Sequence, residues 1–356
     1  MSAGRIIHAV SSLQIGGAER LVVDLAVVQK RRGFEPLILN FGRDTDPLCA
    51  DARARGIAVQ SLAGIRTSIG RTVAILRALR KSDRTALHVH SPWCLPRLGL
   101  VLPFFSGSVI YTRHGANPYD SLYWKMVHRW THRFMDYLTF VSPQSLEVHV
   151  NTHGVIRQPR HLVAFGVDIP ARIPARSKDD MRPVRIGCVG RLVKVKGQRV
   201  LIDALAHLKS EVAWEMHFFG DGPDRAALEE QARAVTNGHV VFHGTIMDRS
   251  EIYSGLDVLV VSSKSEGRSL AIMEAMSRQI PVLATDVGGN SQLVRNRKTG
   301  LLVPYGDRDA LASALDELLD HADLRSGYGS AARDMACSTF SLESCAAGLE
   351  PLYELA

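Results

Sequence analysis

Apolar residues in this chain come in short runs, and between the runs they recur at three- and four-residue intervals. Short runs suit strands buried on both faces, and the intervals suit amphipathic helices packed beside them. In the first half the runs predict strands at 5–10, 35–40, 57–62, 86–90, 109–112 and 137–141, with helices at 18–32, 69–81, 119–135 and 143–151. In the second half they predict strands at 185–189, 214–219, 239–243, 257–262, 281–285 and 299–304, with helices at 198–209, at 249–255 and from 269 onward. Repeated strand-then-helix units argue for parallel sheets covered on both faces. Between the halves, residues 165–183 carry Gly166, Pro170, Pro174, Ser177 and Pro183, which is a linker composition. The expected class is α/β in two domains, 1–170 and 171–356, with the last helix able to pack back on the first domain.

Length agrees, since 356 residues are long for one core and comfortable for two. No stretch reaches the roughly 18 apolar residues that span a bilayer. The N-terminus runs almost directly into a strand and lacks a signal-peptide shape. Five cysteines (49, 94, 188, 337 and 345) form no C-x-x-C pair, which argues against a disulfide framework and for a reducing, cytoplasmic setting. Charge is uneven: residues 1–170 hold 21 Lys+Arg against 11 Asp+Glu, whereas 171–356 hold 22 against 25. A basic front half implies an anionic surface or substrate. With no nucleic-acid module in view, the cytoplasmic face of a membrane is the favoured surface. The helix at 119–135 sets Tyr123, Val127, Trp130 and Phe134 on one stripe, a pattern that lies in a membrane interface or packs on a sheet.

Candidate chemistry gathers where an apolar run at 258–262 passes through a polar, glycine-bearing loop into a helix. That arrangement aims backbone N–H groups at an anion. Glu266 and Glu274 flank the turn with seven residues between them. Their spacing is about 12 Å along a helix axis, too far for two carboxylates acting on one bond, where roughly 5–9.5 Å is needed. One extended ligand could touch both, as a nucleoside diphosphate sugar would. Arg191 and Lys196 bracket the loop after another predicted strand and suit a diphosphate, Arg191 by its fork and Lys196 as a point charge. Gly16-Gly17 opens the first helix, but without G-x-G-x-x-G spacing, so a dinucleotide site and an NAD-linked oxidoreductase are disfavoured. His114 follows a strand and is the best-placed histidine of its half. The pairs His88/His90 and His128/His132 lack a third ligand at metal-site spacing, so no metal site is expected.

These pieces, taken together, resemble the retaining glycosyltransferases of family four. The matching segments are Gly190-Arg191 to Lys196-Gly197, Gly220-Asp-Gly-Pro223, Ser265-Glu-Gly267 to Glu274-Ala-Met276, and Asp286-Val-Gly-Gly289 to Thr299-Gly-Leu-Leu-Val-Pro304. Looser matches are Gly16-Gly17-Ala18-Glu19-Arg20, Tyr111-Thr-Arg-His114 and Gly166-Val-Asp168. The resemblance implies two Rossmann-like domains facing a cleft (GT-B), the first binding acceptor and the second a nucleotide sugar, UDP- or GDP-linked. It implies that Arg191 and Lys196 neutralise the donor diphosphate. Glu266 would bond the transferred sugar and Glu274 the ribose, with amides at Gly267, Arg268, Ser269 and Leu270 cradling phosphate. Gly16 and Gly17 would let their loop approach the same phosphates, and His114 would sit near the reacting sugar. Arg268 stands where the family usually has an apolar residue, Gln292 where it has glutamate and Phe165 where it has asparagine.

The activity so implied is a metal-independent, retaining transfer of a sugar to a glycan or lipid-linked acceptor. No cofactor beyond the donor is needed, and the setting implied is cell-surface polysaccharide assembly at the inner face of the cytoplasmic membrane. A non-catalytic transferase-like subunit predicts donor binding without turnover. A nucleotide-sugar epimerase predicts a changed sugar on the same nucleotide and no acceptor.

Overall fold

The computed structural model describes residues 4–80, 84–115, 119–154, 157–163, 166–173, 182–236 and 239–353. Phe165 and residues 174–181 of the expected linker lie outside them. The chain divides into two compact units, one running to Val167 and resuming at Ser341, the other spanning Asp168–Phe340.

The first unit holds seven parallel strands: β1 (Arg5–Val10), β2 (Glu35–Asn40), β3 (Ala58–Ser61), β4 (Thr85–Val89), β5 (Val109–Arg113), β6 (Tyr137–Phe140) and β7 (Arg160–Leu162). They lie in the order β3-β2-β1-β4-β5-β6-β7. β4 and β5 are buried along their whole length and β1 at all but Arg5, which is why they lack the alternation of a half-exposed strand. The short edge strand β7 and the helix Pro47–Ala54 gave no such signal. The helix Leu342–Leu349 belongs to this unit because it buries Leu342, Cys345, Ala346 and Leu349 beside the helix Gly17–Arg31, with Arg31 on Glu343 at 2.8 Å.

The helix expected at 119–135 is shorter. Ser121 caps it, accepting from the Trp124 amide, so the α-helix runs Leu122–Thr131 and tightens to a 3₁₀ turn over His132–Phe134. The expected stripe is corrected in part: Val127 and Phe134 do pack against the core, but Tyr123 and Trp130 are 56% and 45% exposed, and Trp124, His128 and Thr131 are the buried positions. A stripe counted from apolar residues alone overlooks the histidine and the threonine that share the buried face.

The second unit holds β8 (Val184–Val189), β9 (Trp214–Phe219), β10 (Val240–Gly244), β11 (Val258–Val261), β12 (Val282–Thr285) and β13 (Gly300–Val303). All are parallel, in the order β10-β9-β8-β11-β12-β13. Its core packs Ile186, Met216, Phe218, Val258 and Val260 against Leu201, Leu205, Leu315 and Leu318. Both units therefore reverse strand order once, between β1 and β4 and between β8 and β11. Ligands in open α/β sheets bind beyond the strand ends at that reversal. No helix among the described residues is long and apolar enough to cross a membrane.

Candidate active site

In the second unit the reversal lies between β8 and β11, and the loops that leave these strands carry the expected diphosphate and sugar groups. The two loops are tied together. The Lys264 amide donates to the Val195 carbonyl at 2.8 Å, and the Ser262 hydroxyl donates to the Lys196 carbonyl at 3.1 Å. Gly197 makes this possible, with φ at +67° and a position where a Cβ would lie 2.1 Å from the Ser262 carbonyl oxygen. The consequence is that Lys196 Nζ reaches Glu266 Oε1 at 2.5 Å across 70 positions of chain.

Glu266 is held further by the Ser263 hydroxyl, which donates to the same Oε1 at 2.6 Å, while Thr285 Oγ1 at the end of β12 donates to the Ser263 carbonyl at 2.6 Å. Both fixed side-chain bonds go to one carboxylate oxygen, so Oε2 keeps its lone pairs for a hydroxyl donor. Lys196 uses one of its three N–H bonds on Glu266 and keeps two. Backbone closes the loop from beneath: the Gly289 amide donates to the Glu266 carbonyl at 3.2 Å, and a Cβ on Gly289 would lie 1.8 Å from the Gly267 carbonyl oxygen. The glycines after Asp286 thus serve the Glu266 loop.

Arg191 is exposed, makes no ion pair among the described residues, and has its carbonyl pinned by Gln198 Nε2 at 2.9 Å. Glu274 lies deeper, its side chain 10% exposed, with Arg249 Nε 3.2 Å from Oε1 and the Tyr253 hydroxyl donating to Oε2 at 2.8 Å. Each of its oxygens therefore has a fixed partner and one remaining acceptor site. Arg268 turns its guanidinium over the Phe340 ring, 4.9 Å from the centroid. Ser269 caps the helix Leu270–Met276 without a side-chain bond. That helix has only seven residues, so its field is weak, and what it offers an anion is the N–H groups of its first turn. Cys188, on β8, is pushed up to about 12 by burial and stays a thiol.

In the first unit, Gly16 precedes the helix that Gly17 begins, after the β1 loop. Its backbone is extended, open to any residue, and a Cβ there would meet only the end of the Glu19 side chain. The reversal between β1 and β4 is filled by histidines that no sequence spacing connects. His8 Nε2 lies 2.6 Å from Gln29 Oε1, His8 Nδ1 lies 2.9 Å from His90 Nε2, and His90 Nδ1 lies 3.1 Å from His114 Nε2. Burial pushes His8 and His114 down to about 4 and holds His88 and His90 well below the usual range, so all four are neutral. The Gln29 oxygen only accepts, so His8 donates to it and accepts from His90, and His90 accepts from His114. Gln29 Nε2 donates to the Tyr353 hydroxyl at 2.8 Å, and that hydroxyl meets His88 Nδ1 at 3.0 Å. His114 is therefore held by a buried chain of neutral groups anchored at both ends of the sequence.

A second histidine cluster corrects the expectation that neither pair finds a third ligand. His8 joins His88 and His90, and His149 joins His128 and His132, in each case with possible ligand atoms within 4.8 Å of one another. Spacing along one element cannot reveal a partner delivered by another.

Residues 183–321 match the family model "Glycosyl transferases group 1", and residues 15–170 match "Glycosyltransferase Family 4". The chain is 27% identical over 338 residues to the lipopolysaccharide core biosynthesis glycosyltransferase LpsE of Rhizobium meliloti, covering 92% of this chain and 93% of that one. It is 28% identical over 329 residues to a GDP-mannose-dependent alpha-mannosyltransferase of Mycobacterium tuberculosis, covering 83% and 82%. Among solved structures, Anabaena HepE in complex with UDP and glucose superposes with a TM-score of 0.84 at 20% identity over 98% of each chain. Sucrose-phosphate synthase from Thermosynechococcus elongatus gives 0.80 at 21% identity, again over 98% of each. These structures share the GT-B fold of two Rossmann-like units.

Proposed function

Because the chain belongs to the family-four, group 1 glycosyltransferases and moves a sugar from a nucleotide-sugar donor, we propose that it does so with retention of anomeric configuration and without a metal at the diphosphate. The observation that carries this reading is the convergence of Arg191, Lys196 and Glu266 on the loops after β8 and β11. Transfer develops positive charge on the sugar and negative charge on the departing diphosphate. Arg191 supplies a fork and Lys196 its two remaining N–H bonds to that leaving group, each contributing about 3 kcal/mol, or 10²-fold in rate. Glu266, oriented by Lys196 and Ser263, accepts from hydroxyls of the transferred sugar through Oε2. Glu274 holds the ribose, and first-turn amides from Ser269 and Leu270 add bonds to phosphate. His114, neutral and fixed by its chain, serves the reacting sugar as a hydrogen-bonding group rather than as a charge.

The donor is a UDP- or GDP-sugar, no cofactor beyond it is required, and the acceptor is a glycan or lipid-linked intermediate of cell-surface polysaccharide assembly. Relatives named for lipopolysaccharide core synthesis support this choice. Contact with the inner face of a membrane is supported by large apolar side chains exposed beside cations in the first unit. Leu122, Met126 and Phe104 are 74%, 64% and 75% exposed, and Lys125 and Arg129 share the helix of the first two. Such cations add about 1 kcal/mol each near an anionic surface. A thermal-shift panel of UDP-, GDP-, ADP- and TDP-sugars tests the donor, since binding raises the midpoint by mass action. Product analysis by NMR with chelator present then tests configuration and metal independence. An inverted product, or transfer abolished by the chelator and restored by metal, contradicts the reading.

A further inference from the structure

The first unit contains two H-x-x-x-H pairs, His128/His132 and His149/His153, on neighbouring elements. Residues four apart share a helix face, so each pair presents two imidazoles together. The fold turns the pairs toward each other: the six ring-centroid separations run from 4.1 Å for His128–His153 to 6.5 Å for His132–His153. Four imidazoles placed tetrahedrally at a Zn–N distance of about 2.0–2.1 Å would have centroids roughly 5 Å apart. We propose that these histidines form a binding site for a first-row transition-metal dication, with His128, His132 and His149 the three donors whose ligand atoms already lie within 4.8 Å of one another, His153 the fourth, and Zn²⁺ the best match to an all-imidazole donor set. The site goes beyond the transferase reading and does not rest on it.

Unmet hydrogen-bonding capacity is the second observation. His128 Nε2, His149 Nε2 and both ring nitrogens of His153 are buried with no hydrogen-bond partner among the described residues. Burying a polar atom unpaired costs about 1–3 kcal/mol, which makes such a group of nitrogens expensive unless something binds them. The other cluster, His8, His88 and His90, differs in kind: each of its six ring nitrogens has a protein partner, so it is a hydrogen-bond network and no metal site. Around the proposed site Tyr111 and Trp124 tilt against His128 and Phe140 meets His149 edge-on, so aromatic rings form much of its wall.

Loading displaces two contacts. His128 Nδ1 and His132 Nε2 lie 3.3 Å apart, a weak bond easily given up. Arg113 Nη1 lies 2.7 Å from His149 Nδ1, and a metal on His149 Nε2 would place a proton on Nδ1 facing that guanidinium. Arg113 must then fall back on the Gly115 carbonyl, to which its Nε already donates at 3.1 Å. The metal would staple the helices Leu122–Thr131 and Pro143–His153 together. Its expected effect is on stability.

The test uses tag-free protein stripped with chelator and titrated with Co²⁺, then Zn²⁺. One Co²⁺ per chain, with the intense visible bands of tetrahedral coordination and displacement by Zn²⁺, is expected, together with a raised melting midpoint. His132→Gln and His153→Gln, at half-buried positions, should each weaken binding roughly 100-fold. His239→Gln, exposed in the second unit, should leave it unchanged. No stoichiometric uptake at micromolar metal, or uptake that survives both substitutions, overturns the proposal. If a variant fails to fold, X-ray absorption of the metal-loaded wild type decides: three or four imidazole ligands support the site, and fewer overturn it.

Discussion

Removing Lys196 separates its structural contribution from its catalytic one. Its ammonium pairs with a carboxylate whose side chain is 10% exposed, while its own side chain is 26% exposed. Lys196→Ala leaves Glu266 ionised with only the Ser263 hydroxyl beside it. Orphaning a fully buried partner costs about 3–5 kcal/mol, and solvent at the lysine end reduces this to roughly 1–3 kcal/mol. The same substitution removes a cation from the leaving diphosphate, lowering turnover about 10²–10³-fold. Lys196→Ala combined with Glu266→Gln removes the orphaned charge while keeping an acceptor for Ser263. Urea unfolding should therefore recover most of the lost stability in the double variant. Its affinity for UDP and GDP, measured by calorimetry, and its turnover should stay as low as in Lys196→Ala. Should nucleotide affinity return along with stability, Lys196 only neutralises Glu266 and the diphosphate role is wrong.

Acid should loosen the first unit before the second. His8 and His114 fall from about 6.5 unfolded to about 4 folded, so their neutral forms stabilise the fold above pH 6.5 and that contribution is lost as pH drops toward 4. Each ring is worth about 3 kcal/mol, so the roughly 6 kcal/mol of the pair should lower the midpoint by roughly 12–24 °C over that window in a calorimetric pH series. Gly197→Ala should cost several kcal/mol and abolish nucleotide binding, since it needs positive φ and would meet the Ser262 carbonyl; near-normal binding by calorimetry would refute the tied-loop geometry. Gln29→Leu should leave His8 and Tyr353 without a shared partner and slow transfer while sparing nucleotide affinity, read from kcat against Kd. Leu122→Ser with Met126→Ser should reduce co-sedimentation with anionic vesicles while changing the unfolding free energy by no more than about 0.5 kcal/mol per substitution, since both side chains are exposed.

What the sequence made legible is local. β1, β2 and β9 begin and end where their apolar runs do, and the loops with Arg191, Lys196 and Glu266 are strand-to-helix turns whose polar residues stand out between such runs. Pairing Lys196 with Glu266 was not legible, because it depends on β8 and β11 being neighbours in the sheet although 68 residues separate Val189 from Val258. The histidine chain needs three strands and a helix, and its anchor Tyr353 returns from the far end of the sequence. The second H-x-x-x-H pair was visible as letters, but only helix packing brings it against the first. Leu122 and Met126 face outward because Trp124, His128 and Thr131 take the inward face, a choice that apolar periodicity does not register.

The central claim is that a nucleoside diphosphate is held in the second unit by Arg191 and Lys196. Calorimetric titration of UDP and GDP into the wild type, Arg191→Ala and Lys196→Ala tests it directly. One nucleotide should bind the wild type, with affinity falling at least tenfold in each variant while circular dichroism is unchanged. Equal affinity in all three proteins would contradict it.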